Sequence, residues 1–178
     1  MNRNVLVALA VAAWSTQVAA QSPLPTVDPL IGTWKQNTTQ STYSPAEDRP
    51  PKGWYAIRQY EAGDDGSIVA ITMNVDAQGL PSLRAISAAN YDGKEYPQHT
   101  VATLATSLSS HIRPHVDRTI AYTRVDAYTV QIVQRQGGAI VAKSTRTISR
   151  DGKTMADRAD YVNAAGQHVT DVLVFEKQ

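Results

Sequence analysis

The sequence predicts an all-β domain, an antiparallel up-and-down barrel of about 8–10 strands, with a β-sandwich as the alternative. Glycine paired with aspartate or asparagine recurs along the chain, and such pairs supply the positive φ that tight hairpin turns require. The segments between these turns alternate polar with apolar residues or are rich in β-branched side chains, as strands are. A meander of this length removes its exposed edges by closing, which favours the barrel.

The strands can be placed between the turns. Predicted turns lie at 63–66, 76–79, 92–93, 137–138, 151–152 and 163–166. Predicted strands lie near 31–36, 54–62, 67–75, 82–91, 118–125, 127–135, 139–149, 153–162 and 168–176. Residues 43–53 contain three prolines and a glycine, so this segment is expected to form a long first loop.

The first twenty residues have the pattern of a secretory signal peptide. Arg3 supplies the positive charge, residues 5–14 form an apolar run, and small residues precede a cleavage point near Ala20. The run is too short to span a bilayer, which needs about 20 apolar residues. We therefore expect a periplasmic or secreted protein with a flexible tail at 21–29, one domain at 30–178 and no membrane span in the mature chain.

Composition restricts the possible partners. Removal of the predicted signal peptide, which contains Arg3, leaves 16 basic and 16 acidic side chains and therefore a net charge of zero. A neutral protein is not expected to have nucleic acid as its main partner. The chain has no cysteine, so disulfides, thiolate metal sites and cysteine nucleophiles are excluded. The oligomeric state is left open.

The stretch Gly32-Thr33-Trp34 begins the first predicted strand. In a closed barrel this strand enters at one end, where the large indole of Trp34 can cover apolar area. Gly32 would let the chain turn sharply just before it. We therefore expect structural roles for Gly32 and Trp34.

Several motifs together resemble a known family. They are DPLIGTWKQN, STYSP, YDGKEYP, RVDAYTV, SRDGKTM and the terminal VLVFEKQ. The chain from Asp28 to Gln178 is similar in these motifs to small secreted bacterial lipocalin-like (calycin-type) β-barrel proteins, which are mostly uncharacterised. The resemblance implies a lipocalin-like barrel and an extracytoplasmic location, and it carries over no site residues. Gln40 stands where the family usually has lysine, and the segment 97–117 is longer than the usual connection, which suggests a lid.

Strand alternation groups candidate ligand-binding residues on mixed faces, which combine apolar or aromatic side chains with a single charge. The candidates are Trp54, Arg58, Tyr60, Tyr122, Arg124, Arg146, Asp157 and Tyr161. Such faces fit a cavity that is mostly apolar with a few polar anchors. The alternative is that these charges point outward and the opposite faces form the core. Alternate residues of 69–75 form a wholly apolar face, so faces that could form such a core do exist in this sequence.

The leading functional hypothesis is extracytoplasmic binding of a small apolar or aromatic molecule in the barrel, with no cofactor. An alternative is a cofactor-independent lyase, isomerase or hydrolase acting on a small carbonyl or aromatic substrate. Its candidate catalytic residues are Arg58, Tyr122, Arg124, Asp157, His111 and His115. A second alternative is a structural envelope module, which would require a filled barrel.

Metal binding is not expected. His111 and His115 have the four-residue spacing of a helical metal pair, but Pro114 interrupts it. His99 and His168 complete the histidine content. The chain has no Gly-x-Ser-x-Gly, phosphate-binding loop or dinucleotide fingerprint.

Overall fold

Ten antiparallel strands close into a barrel in the computed structural model, which describes residues 27–46, 49–100, 117–162 and 166–178. The strands are β1 Gly32–Gln36, β2 Tyr55–Ala62, β3 Ile68–Val75, β4 Pro81–Ala89, β5 Tyr96–Thr100, β6 Arg118–Arg124, β7 Thr129–Gln136, β8 Ala139–Ile148, β9 Thr154–Val162 and β10 His168–Lys177. The predicted signal peptide, residues 21–26 of the predicted tail, and His111 and His115 lie outside the described residues.

Each strand pairs with the next along the chain, and β1 pairs with β10 to close the ring. The closing register places Trp34 opposite Lys177 on one side and opposite Arg58 on the other. This topology confirms the predicted all-β antiparallel barrel, and it removes the edges that a sandwich would leave exposed. In the described part of the chain, no helix has the length and hydropathy needed to cross a bilayer.

The sequence missed one strand, β5. This strand contains Pro97, which cannot donate a ladder hydrogen bond, and its pairing with β6 is limited to Tyr96 with Ile120 and Pro97 with Thr119. The segment 97–117, expected to be an irregular lid, therefore begins inside a strand. Its residues 101–116 are outside the described part of the chain.

One end of the barrel, here called the base, is filled by an apolar cluster. Trp34 and Phe175 are fully buried there, and the Trp34 indole N–H donates to the carbonyl of Leu30 at 2.8 Å. The cluster consists of Leu30, Trp34, Tyr60, Ile68, Ala70, Ile148, Met155 and Phe175. Gly32 lies between Leu30 and Trp34 in the chain, and its φ of +130° is one that residues with a side chain rarely adopt. Burying a large aromatic ring in such a cluster contributes about 1.5–3 kcal/mol.

The mixed strand faces turn inward. Arg58, Arg146 and Asp157 lie on the lumen side, so the alternative that these charges point outward is wrong. In β3, Ala70 and Thr72 face the lumen, so the alternating apolar residues of 69–73 fall on the outer face, where they are half-buried.

Candidate ligand-binding cavity

A cavity of about 680 Å³ fills the barrel between the base and the end at which β2, β4, β6 and β8 begin, here called the open end. Strands β2 to β9 all contribute side chains to its lining. Ligand pockets commonly measure about 300–1,000 Å³, so this cavity is large enough for a small molecule. A structural module would require a filled barrel, and the described residues leave this cavity inside it.

The lining is more polar than the sequence predicted. Fifteen of its 24 residues carry a hydroxyl, amide, carboxylate or guanidinium group. Four of them are arginines, Arg58, Arg84, Arg118 and Arg146, and the one carboxylate among the described lining residues is Asp157. The expectation of a mostly apolar pocket with a few anchors is therefore corrected to a mixed pocket with a large excess of positive charge.

A buried ionic cluster of Arg58, Arg146 and Asp157 lies on the side of the cavity nearest the base. Asp157 on β9 stands directly opposite Arg146 on β8, and Arg146 Nη2 donates to Asp157 Oδ2 at 2.7 Å. Arg58 Nη1, from β2, donates to the same oxygen. Two guanidinium groups therefore share one carboxylate, which gives the cluster a net charge of about +1.

Aromatic rings support both guanidinium groups. The Arg58 guanidinium lies over the Phe175 ring at 4.5 Å from its centroid. The Arg146 guanidinium lies over the Tyr60 ring at 5.0 Å. Because a desolvated cation is attracted to the face of a ring, these contacts offset part of the cost of burying the two charges. Phe175 and Tyr60 also belong to the base cluster, so the ionic cluster is in contact with the buried apolar base of the barrel.

The charges of Asp157 and Arg146 do not change near neutral pH. Burial alone would raise the pKa of Asp157, but the guanidinium groups of Arg146 and Arg58 hold it at about 2. Burial acts to lower the pKa of Arg146, but the Asp157 charge, the neighbouring Tyr60 and Tyr122 and the hydrogen bond to Asp157 together raise it. A fixed positive excess therefore faces the cavity.

Several atoms of the cluster have no hydrogen-bond partner. They are Nε and Nη1 of Arg146 and Oδ1 of Asp157, all fully buried. Buried polar atoms in proteins are nearly always satisfied, and an unsatisfied donor costs about 1–3 kcal/mol. Arg146 lines the cavity, and its two unpartnered donor nitrogens would suit an acceptor, most favourably an anionic one, after a side-chain movement that exposes them.

Tyr122 completes this wall of the cavity. It is 2% exposed, and burial raises its pKa, with the neighbouring Tyr60 adding to the increase. Hydrogen bonding to Ser87 and the charges of Arg146 and Arg58 act in the opposite direction. The phenol therefore stays protonated at neutral pH and can donate one hydrogen bond.

Of the eight ligand-binding candidates predicted from the sequence, six line the cavity. They are Arg58, Tyr60, Tyr122, Arg146, Asp157 and Tyr161. The structure brings three of them, Arg58, Arg146 and Asp157, into direct contact. That these residues bind a ligand stays a prediction.

Trp54 does not line the cavity. It precedes β2, is 37% exposed, and its backbone N–H donates to the carbonyl of Pro51 at 3.0 Å. The alternation that placed it with Arg58 fails because the strand begins one residue later, at Tyr55. Alternation holds only within the paired part of a strand.

Arg124 also lies away from the cavity, at the base end of β6. It forms an ion pair with Asp28, and its guanidinium lies 3.9 Å from the centroid of the Tyr91 ring. The Tyr91 hydroxyl donates to the same carboxylate at 2.7 Å. Burial and the Asp28 charge raise the pKa of Tyr91. This group ties the segment before β1 to the barrel, which is a structural role.

The sequence reasoning missed Arg84 and Arg118. Arg118 could have been found, because it shares the face of Ile120 and Tyr122 by simple alternation. Arg84 could not, because it reaches the lumen through a register shift between β3 and β4 that no local pattern indicates.

The fold and the cavity together define a closed antiparallel β-barrel with a ligand-sized interior. No protein-family model matches the chain, and no curated protein matches it.

Solved structures of similar shape exist. The fluorescent protein UnaG is 11% identical, with a TM-score of 0.49, over 84% of this chain and 97% of that one. Zebrafish ileal bile acid-binding protein, solved in complex with cholic acid, is 11% identical, with a TM-score of 0.46, over 84% of this chain and 99% of that one. The closed strand order of the present chain defines its fold without reference to either.

Proposed function

We propose that this protein binds a small, negatively charged molecule inside its barrel. The observation that carries the proposal is the charge of the cavity lining, where four arginines face one aspartate among the described residues. Three of them, Arg58, Arg118 and Arg146, are buried or half-buried, and charge of one sign in such positions is costly unless it is compensated. An anionic ligand supplies the missing negative charge and gains charge-assisted hydrogen bonds in return.

The ionic cluster supports one specific position for the anionic group. Arg146 is 5% exposed and keeps two unpartnered donor nitrogens, Nε and Nη1, and the Arg58 side chain is 15% exposed on the same cavity. A hydrogen bond to a charged group contributes about 1.5–3 kcal/mol. The anionic group therefore belongs beside Arg58 and Arg146, where it would neutralise the net charge of the cluster.

The remainder of the ligand is apolar or aromatic in this proposal. Leu83, Ile120, Ile132 and Val141 line other parts of the cavity, and they offer apolar surface to a ring or chain. The apolar or aromatic molecule expected from the sequence is thereby narrowed to an amphipathic anion.

Binding is a better account of the cluster than acid–base catalysis. An enzyme would use the convergence of Arg58, Tyr122 and Asp157, but general acid–base chemistry needs a group that titrates near the working pH. Asp157 has a pKa of about 2, and the pKa of Tyr122 is raised above its usual value of 10.0. Both groups therefore keep one protonation state near neutrality, which suits recognition of charge.

We also propose that the mature protein works outside the cytoplasm. The support is the signal-like pattern of residues 1–20 and the motif resemblance described above. Expression of the full chain in a bacterial host, followed by fractionation and N-terminal sequencing, tests this. Recovery in the periplasm or medium with a new N-terminus near residue 21 supports it, and an unprocessed chain in the cytoplasm overturns it.

A matched pair of fluorescent probes tests the binding proposal. Anilinonaphthalene sulfonate carries one negative charge, and phenylnaphthylamine has the same ring system without the sulfonate. The protein is expected to bind the sulfonate more tightly than the neutral probe, although the neutral probe is the more hydrophobic one. Arg58→Met and Arg146→Met should each weaken sulfonate binding about 10- to 100-fold, because each removes a charge-assisted contact.

The control is Arg158→Met on the outer face, where Arg158 is an exposed partner of Asp160 at 3.9 Å. It should leave the affinity for the sulfonate unchanged. Equal affinity for the two probes, or equal effects of the Arg146 and Arg158 substitutions, would overturn the proposal. Native mass spectrometry of protein purified gently from its own host can then identify a retained anion directly.

A further inference from the structure

Two arginines of the cavity lie outside the ionic cluster. Arg84 on β4 and Arg118 on β6 both line the cavity, and no carboxylate of the described residues lies within ion-pair distance of either. The ionic cluster already leaves one positive charge uncompensated. The cavity therefore carries more positive charge than a single anionic group can neutralise.

Arg84 lies at a β-bulge, lines the cavity and is itself exposed. The pairing of β3 with β4 places Thr72 opposite Ala85 and Met73 opposite Leu83, so Arg84 is an extra residue between them. Leu83, Arg84 and Ala85 all line the cavity, whereas regular alternation would turn one or two of them outward. Bulges of this kind often re-aim a side chain beside a functional site.

Arg118 forms no ion pair with a carboxylate of the described residues. It stands opposite Gln136, and its Nε is buried without a hydrogen-bond partner. The nearby carboxylates have other contacts: Asp117 accepts from Gln136 Nε2 at 3.5 Å, and Glu95 pairs with Arg135 at 3.1 Å. Amides can hydrogen-bond to a ligand but do not neutralise a guanidinium.

These two arginines lie nearer the open end than Arg146 does. Strands β4, β6 and β8 run in the same direction and all begin at that end. Arg118 is the first residue of β6 and Arg84 is the fourth of β4, whereas Arg146 is the eighth of β8. The positive charge is thus spread along the cavity, with one part at the base side and another toward the open end.

We propose that Arg84 and Arg118 form a second anion subsite, so that the ligand is an elongated amphipathic dianion rather than a monoanion. One anionic group lies beside Arg58 and Arg146, and the other lies between Arg84 and Arg118. The apolar or aromatic middle of the molecule contacts Leu83, Ile120 and Ile132. This inference rests on the proposed function and adds the second charge to it.

Competition by two matched acids tests the inference. Dodecanoate and dodecanedioate differ only by a second carboxylate at the far end of the same chain, and each is titrated against protein loaded with anilinonaphthalene sulfonate. In an ordinary apolar pocket the second carboxylate weakens binding, because its charge must be desolvated. In this protein dodecanedioate, or a dicarboxylate with a shorter or longer chain, should displace the probe at a concentration roughly tenfold lower than dodecanoate requires.

The variants separate the two subsites. Arg84→Met and Arg118→Met should remove the preference for the dianion, so that each lowers the affinity for dodecanedioate about tenfold more than the affinity for dodecanoate. Arg84→Lys with Arg118→Lys should restore part of the preference, because the charge is kept. The matched control is Arg135→Met, which removes an arginine of the same wall that pairs with Glu95 and does not line the cavity.

The outcomes are distinct. If monoanions and dianions of every length bind equally and binding still depends on Arg146, the second subsite is overturned and the proposed function stands. If neither acid displaces the probe and Arg146→Met has no effect, the proposed function itself fails. Thermal unfolding of each variant shows whether a loss of affinity comes from a loss of folded protein.

Discussion

Arg146 and Asp157 stand opposite each other on β8 and β9, and their side chains form an ion pair of 2.7 Å inside the barrel. A second arginine, Arg58, donates to the same carboxylate oxygen. One carboxylate therefore serves two cations, and the positive excess is held in place on the side of the cavity nearest the base. The expected stability of the fold, its dependence on pH and the proposed affinity for an anion all depend on this arrangement.

Asp157→Asn should strongly destabilise the fold. It leaves two buried guanidinium groups without a counter-charge, and breaking a buried pair in this way costs about 3–5 kcal/mol. Urea denaturation measures the loss. Asp160→Asn is the control, because Asp160 lies on the outer face in an exposed pair with Arg158 and should cost less than about 1 kcal/mol. Similar losses in the two variants would mean that the ionic cluster contributes little.

The stability conferred by Asp157 should disappear in acid. Its pKa is about 2 in the folded protein and about 3.9 in an unfolded chain, so the folded value is depressed. Its contribution is therefore fully present above about pH 4 and is lost as the pH falls toward about 2, which amounts to roughly 2–3 kcal/mol. The measurement is the difference in unfolding free energy between wild type and Asp157→Asn as a function of pH. A difference that stays constant across this interval contradicts the assignment.

Trp34 should dominate the stability of the base. It is fully buried, and its N–H bonds to the Leu30 carbonyl. Trp34→Ala should lower the free energy of unfolding by about 3–5 kcal/mol, and Trp34→Phe by less, because the smaller ring keeps part of the packing. Trp54→Ala is the control, since Trp54 is 37% exposed. Denaturant titration followed by circular dichroism compares the three. A loss at Trp34 no larger than that at Trp54 would be inconsistent with the described base.

The group formed by Asp28, Tyr91 and Arg124 should affect stability without affecting affinity. Arg124→Met and Asp28→Asn each break the same ion pair, so a double-mutant cycle should give a coupling energy of about 1–3 kcal/mol. Binding of anilinonaphthalene sulfonate should not change, because Arg124 does not line the cavity. An effect of Arg124→Met on affinity comparable to that of Arg146→Met would place Arg124 in the site after all.

Alternation explains what the sequence could predict. The faces that contain Arg58, Tyr60, Arg146, Asp157 and Tyr161 follow from the two-residue repeat of a strand, and they do line the lumen. Local sequence cannot show which side chains meet across the barrel. The contact between Arg58 and Asp157 joins residues 99 positions apart, and it depends on closure of the whole ring.

The errors have equally specific causes. Trp54 and Arg124 lie at strand ends, where the chain leaves the lining while the repeat in the sequence continues. Arg84 depends on a bulge, and β5 is short and contains Pro97. The bulge and the limits of each strand depend on how the strand pairs with its neighbours, which the alternation within a single stretch of sequence does not encode.

Arginine side-chain proton–nitrogen correlation spectra test the central claim most directly. Arg58→Lys and Arg146→Lys assign the Nε–H signals of the two arginines, and the wild-type protein is then titrated with anilinonaphthalene sulfonate and with neutral phenylnaphthylamine. The account predicts that the sulfonate shifts both signals in a saturable way and that the neutral probe shifts neither to the same extent. If the sulfonate binds and shifts backbone signals around the cavity while both arginine signals stay in place, the claim that this cluster receives the anion is contradicted.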